Sequence, residues 1–250
     1  MFTSRVEDEF GVPFPGEILP RKQWTQTGLK RLPTGIIDWV ALFGRQAPVV
    51  LDLGCGNGRY AIGSALRRAD HDHLGLDALP VVIRYATRRA NQRGLANIRL
   101  AVGDAAEFMA MHVAPASVAE VHLYHPQPYR DPEKRERRLL RPHFLADVWC
   151  SLSESGSLFV QTDNPAYWRY LEEVLPALFE LRPMRSRWPD APQGRTRREI
   201  IALRRGLSVC RAICRPRREL DEAEARSIAG QLPQPVFDAR DEAMSEEEIG

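Results

Sequence analysis

The sequence predicts an α/β fold built on a mostly parallel sheet whose last strand runs antiparallel, with helices on its faces. Three observations carry that expectation. The run Val49, Val50, Leu51, Asp52, Leu53 stops at a turn holding Gly54, Gly56 and Gly58, as a strand buried on both faces does before a tight turn. From residue 49 to residue 178 short apolar runs alternate with amphipathic stretches, the pattern of strands joined by crossover helices. Acids then mark the strand ends: Asp77 and Asp104 each close a run, on the edge where open α/β sheets bind ligands.

The glycine spacing says which ligand suits the turn. A dinucleotide fingerprint needs glycine at position 59, where this chain has Arg59, so NAD is the weaker reading. Asp52 lies inside the strand, where its carboxylate would repel a pyrophosphate but pair with a cation. S-adenosylmethionine carries an ammonium and a sulfonium and no phosphate. Asp77 stands nineteen residues beyond Gly58, where a βαβ unit offers an acid to ribose hydroxyls, and Asp104 can reach an adenine amino group from the same edge.

The elements follow in order. Residues 1–33 form an arm with little periodicity, expected to be loosely packed. Thr34 caps a helix that carries Ile36, Ile37, Val40 and Leu42 and ends at Gly44. Strands are expected at 49–53, 73–77, 98–102, 118–124 and 158–162, and helices at 59–68, 81–93, 142–153 and from Pro165. The fourth strand delivers His125-Pro126-Gln127-Pro128-Tyr129, where two prolines stiffen the turn and hold Gln127 at the mouth of the sheet. Arg130, Lys134, Arg135, Arg137, Arg138 and Arg141 follow as candidate phosphate contacts, offset by Asp131, Glu133 and Glu136. Residues 200–203 and 207–214 are expected to pair as an antiparallel hairpin that finishes the sheet. A helix over 220–229 leads into a disordered end.

Composition bounds the function. With 250 residues, 44% of them hydrophobic, the chain suffices for one α/β domain over 34–218 between the arm and an acidic tail, 219–250. No run approaches a membrane span, so a soluble cytoplasmic protein is expected. Cys55, Cys150, Cys210 and Cys214 are scattered without metal-ligand spacing, so reduced thiols and no metal are expected. The net charge of +2 hides an asymmetry. Residues 182–218 hold twelve arginines against Asp190 and Glu199, whereas 219–250 hold ten acids against Arg226 and Arg240. The arginine cluster points to a polyanionic partner.

Taken together, these pieces resemble the bacterial tRNA (guanine-N7)-methyltransferases, the TrmB family. The resemblance runs from Val49 to Arg215: the L-D-L-G-C-G-N-G turn, G-L-D at Asp77, G-D at Asp104, the Pro-x-Pro turn with K-R-x-R-R, T-D at Asp163, and T-x-x-E at Thr196 to Glu199. It implies a seven-stranded Rossmann-like class I methyltransferase fold, S-adenosylmethionine as methyl donor and a tRNA guanine as acceptor, with the choice between monomer and homodimer left open. By matching position, Asp52, Asp77 and Asp104, with Gly54, Gly56 and Gly58 of the turn, would bind the cofactor, and Asp163, Thr196 and Glu199 the substrate; Arg130, one residue before the place of the family's substrate-binding lysine, is a further substrate candidate. Gln127 takes the catalytic position, where the family usually has the Asp of F-P-D-P-W. The lysine that the family places two residues after the aromatic is here Asp131. Two other readings are another methyl acceptor and a catalytically weakened RNA-binding homologue.

Overall fold

The computed structural model of the chain describes residues 7–239. It opens on a small hairpin, β1 (Asp8–Glu9) with β2 (Val12–Pro13), followed by α1 (Trp39–Phe43) and β3 (Val49–Leu53). Then come α2 (Arg59–Arg67), β4 (Asp72–Asp77), α3 (Pro80–Gln92), β5 (Ile98–Val102), α4 (Ala105–His112) and β6 (Val118–Tyr124). The second half holds α5 (Pro142–Ser151), β7 (Leu152–Thr162), α6 (Pro165–Leu178), β8 (Phe179–Pro183), α7 (Arg197–Arg204), β9 (Cys210–Pro216) and α8 (Glu222–Gln231).

Seven strands form one sheet in the order β5-β4-β3-β6-β7-β9-β8. Pairing is parallel from β5 across to β7, and β9 alone runs against its two neighbours. Strand β3 is buried at every position, as a strand covered on both faces must be. Residues of α4, α5, α6 and α8 form the larger core on one face, and those of α2 and α3 pack with Phe14 on the other. The order reverses between β3 and β6, and that switch point opens a crevice at the carboxyl ends of the strands.

Several elements depart from the sequence reading. The first helix starts at Trp39: Gly35 takes a left-handed φ of 68°, and the Asp38 side chain, not that of Thr34, accepts from Ala41 N at 3.0 Å. Helix α4 is an addition to the expected elements, because Asp104 reads as a ligand-facing acid and is its N-cap. The strand expected at 200–203 is inside α7, whose Thr196 hydroxyl accepts from Glu199 N at 3.1 Å, and the partner of β9 is β8. Apolar residues at 200–203 satisfy either period; the cap decides. The basic stretch after the Pro-x-Pro turn is a short 3-10 helix, Pro132–Arg137.

Around Phe14 the described part of the arm is held closely rather than loosely. Phe14 is 1% exposed beneath the guanidinium groups of Arg59, Arg89 and Arg93, which are themselves paired with Glu7 and Glu9. Beyond α8 the chain runs on to a buried Ala239, so much of the acidic segment is packed against α5 and α6. The disordered end expected beyond residue 229 is instead held in place as far as Ala239, by hydrogen bonds to its carbonyls from Arg138, Tyr170 and Asn164, and of that end only residues 240–250 lie outside the described residues.

Candidate cofactor and substrate site

The crevice is a cleft of about 880 Å³, within the usual size of a small-molecule site. One wall is the turn after β3. Gly54 (φ 78°) and Gly56 (φ 52°) adopt left-handed backbone, and nothing stands within 4 Å of where a Cβ would be, so the turn presents bare backbone to the cleft. Gly58 differs: a Cβ there would meet Ala86 Cβ at 2.9 Å, so this glycine lets α2 pack on α3 and does not line the cleft.

The acids divide in the same way. Asp77 lines the cleft and binds the turn, accepting from Gly56 N through Oδ2 and from Leu79 N through Oδ1, both at 2.9 Å. Asp52 is buried and its Oδ2 has no hydrogen-bond partner. Burial, together with the neighbouring Asp77 charge, pushes its carboxyl up to about 8. Asp104 is not among the lining residues, and its Oδ1 accepts from Ala106 N and Glu107 N as the cap of α4.

The opposite wall carries His125, Gln127, Thr196, Arg197 and Arg198. His125 and Tyr129 take φ values of 52° and 41°, so the Pro-x-Pro turn is held in backbone that side chains resist. His125 bonds Asp163 Oδ1 through Nδ1 at 2.9 Å and Gln161 Nε2 through Nε2 at 2.7 Å. A carboxylate oxygen can only accept, and Gln161 Oε1 already accepts from Trp188 Nε1 and Arg211 Nε, so its amide N–H must donate to His125. The imidazole proton is therefore on Nδ1. Burial pulls the Asp163 carboxyl upward, but the hydrogen bond from His125 and the Arg198 guanidinium, 3.1 Å away, hold it well below the usual carboxylate range.

Asp163 thus sits one layer behind the cleft surface, reached through His125 and Arg198. Glu199 is wholly buried: it accepts from Arg211 Nη2 at 2.5 Å and from Arg195 N at 2.7 Å, which gives it a structural place under the Thr196 turn. Arg130 is not among the cleft residues. Asp8, Glu9 and Phe10 of the arm do line the cleft, with Leu79, Val81, Val82 and Tyr85 of the β4–α3 segment; no motif in the sequence marks any of these. Leu79 and Tyr85 are 58% and 57% exposed, so periodicity marks them as misplaced surface residues, and only the cleft explains them.

Residues 46–206 match the model of a methyltransferase family described as "Putative methyltransferase". The chain is similar to the tRNA (guanine-N(7)-)-methyltransferase of Alkalilimnicola ehrlichii, 32% identical over 185 residues that cover 74% of this chain and 78% of that one. It is similar also to that of Bordetella parapertussis, 34% identical over 175 residues and 69% of each chain. Among solved structures, the 16S rRNA methyltransferase KamB shares the fold with a TM-score of 0.56 at 18% identity, covering 76% of this chain and 97% of that one.

Proposed function

Since the chain belongs to the tRNA (guanine-N7)-methyltransferase family, we propose that it transfers a methyl group from S-adenosylmethionine to N7 of a guanine in tRNA. The observation that carries the proposal is Asp52: a buried carboxyl with an unpartnered oxygen, beside the bare turn of Gly54 and Gly56 in an 880 Å³ cleft. Such a group costs stability until a cation joins it, which fits a cationic cofactor and opposes a pyrophosphate.

S-adenosylmethionine held there by Asp52, Asp77 and the turn of Gly54 and Gly56 would supply an electrophilic sulfonium methyl for the N7 lone pair, its thioether being the leaving group. Asp77 keeps one lone pair on each oxygen after its two backbone bonds, enough to accept from both hydroxyls of a ribose. Leu79, Val81, Val82 and Tyr85 form an apolar wall suited to a flat heteroaromatic ring. N7 has no proton to lose, so positioning is the main task. Both nitrogens of His125 are engaged in hydrogen bonds, which makes this residue a rigid wall rather than a proton carrier. Gln127, exposed at the mouth, can hydrogen-bond a base edge without adding charge.

Calorimetry should find micromolar binding of S-adenosylmethionine or its demethylated product and none of NAD. Tritium transfer to bulk unmodified tRNA should then yield 7-methylguanosine on nucleoside mass mapping. Label in a different nucleoside would reassign the acceptor, and binding of NAD in place of the cofactor would overturn the proposal.

A further inference from the structure

Arg138 is the last residue of the basic K-R-x-R-R run and is 1% exposed, so it cannot be a phosphate contact. Its guanidinium is satisfied by main-chain carbonyls. Nε donates to Pro128 O at 2.6 Å and Nη2 to Tyr129 O at 3.0 Å, both in the turn that presents Gln127. Nη1 donates to Pro235 O at 2.5 Å and Nη2 also to Phe237 O at 3.0 Å. One planar fork therefore joins two segments more than a hundred residues apart, a geometry that lysine cannot reproduce.

The far segment is itself tied down. The Phe237 ring lies 3.8 Å from the guanidinium carbon of Arg138 and packs edge-on against Tyr167 at 5.1 Å. Tyr170 OH donates to Pro233 O at 3.2 Å, and Asn164 Nδ2 to Ala239 O at 3.3 Å. Both tyrosines belong to α6, which starts directly after Asp163 and Asn164 at the other side of the site. The strap lies beyond residue 206, where the match to the family model ends.

We propose that residues 232–239, clamped by Arg138, are a positioning device for the acceptor site: the strap fixes the carbonyls of Pro128 and Tyr129 and thereby the place of Gln127. The strained φ of 41° at Tyr129 is the feature that such a clamp must hold, since the residue would otherwise relax to ordinary backbone. Arg138 touches no cleft surface and acts through the turn. The inference rests on the methyl-transfer reading for its kinetic consequence, but not for its structural one.

The test compares three full-fold variants with the unaltered chain: Phe237→Ala, Arg138→Lys, and a truncation after Ala239. Single-turnover methyl transfer to tRNA should fall by about tenfold to a hundredfold in the first two, the scale of a small misplacement of a reacting group. Affinity for S-adenosylhomocysteine should change less than about twofold, as the cofactor wall is on other strands. Amide hydrogen exchange at Gln127, Tyr129 and Arg130 should quicken in the same two variants and stay unchanged in the truncation. Equal transfer rates and equal exchange would overturn the proposal, and so would a parallel loss of cofactor affinity, which would mark general destabilisation. Should the unaltered chain not methylate tRNA, the proposed function fails while the exchange measurement still decides the clamp.

Discussion

Asp52 binds its proton more tightly in the folded protein than in the unfolded chain, because burial and the Asp77 charge raise its pKa from 3.8 to about 8. Between those values the folded state therefore holds more protons, and stability falls as pH rises. Asp52→Asn should be neutral to folding near pH 4 and stabilising above pH 8, on the order of 2–5 kcal/mol, since each tenfold change in proton affinity is worth about 1.4 kcal/mol before relaxation. Thermal melts across pH 4 to 9 check this; an advantage that shrinks with pH would contradict it. The same variant should bind S-adenosylmethionine more weakly, and the unaltered protein should bind it more tightly as pH approaches 8. At the acceptor side, Gln127→Asp would place a charge near a base that becomes cationic, an attraction of about 4 kcal/mol at 4 Å and an effective dielectric of 20, before desolvation. That variant should raise single-turnover rate more than tRNA affinity, because the gain belongs to the transition state. An unchanged or lower rate would show that the amide is the matched group.

At the scale of elements, the acids show what sequence can and cannot convey. Asp52 and Asp77 were legible because strand, turn and spacing fix where they stand, and both line the cleft. Asp104 sits at the same kind of strand end, and its Oδ1 also caps α4, which only the helix that follows could have revealed. Asp104→Ala should therefore lower the unfolding free energy by about 0.5–2 kcal/mol, the range for losing a cap, which urea melts would measure. A large loss of cofactor affinity with unchanged stability would restore its reading as a ligand. Glu199 likewise has a place that the sequence does not show: T-x-x-E is also the start of a helix, and its Glu pairs with a buried Arg. The arm hides its role because Phe14 sits in no periodic pattern, and what buries it are apolar residues of α2 and α3 together with the guanidinium groups of Arg59, Arg89 and Arg93. Phe14→Ala should cost about 3–5 kcal/mol, the scale for emptying a buried aromatic site. A cost under about 1 kcal/mol in the same denaturation experiment would mean that the arm docks weakly after all.

Across the whole molecule, the parallel sheet was legible from alternation, and the reversed β9 was expected, though with the wrong partner. Charge was harder to read. Of the twelve arginines in 182–218, Arg182, Arg187, Arg195, Arg198, Arg211, Arg217 and Arg218 bond side chains or carbonyls of the chain itself. Composition counts charges but not their partners, so the basic cluster promised more phosphate contacts than the fold leaves available. The log–log salt slope of tRNA binding should accordingly fall well below the roughly 8 to 11 that twelve phosphate contacts would give, at about 0.7 to 0.9 each. A slope in that upper range would mean that the internal pairs open on binding. The acidic segment is likewise partly internal, since its strap reaches Arg138 and Asn164. The most direct measurement is single-turnover reaction with S-adenosylmethionine and unmodified tRNA, followed by borohydride reduction and aniline cleavage, which cut the chain at 7-methylguanosine. Scission at one guanine, strongly reduced for Asp77→Ala at the same cofactor concentration, is the predicted result. Labelled tRNA that aniline leaves intact would contradict methylation at N7.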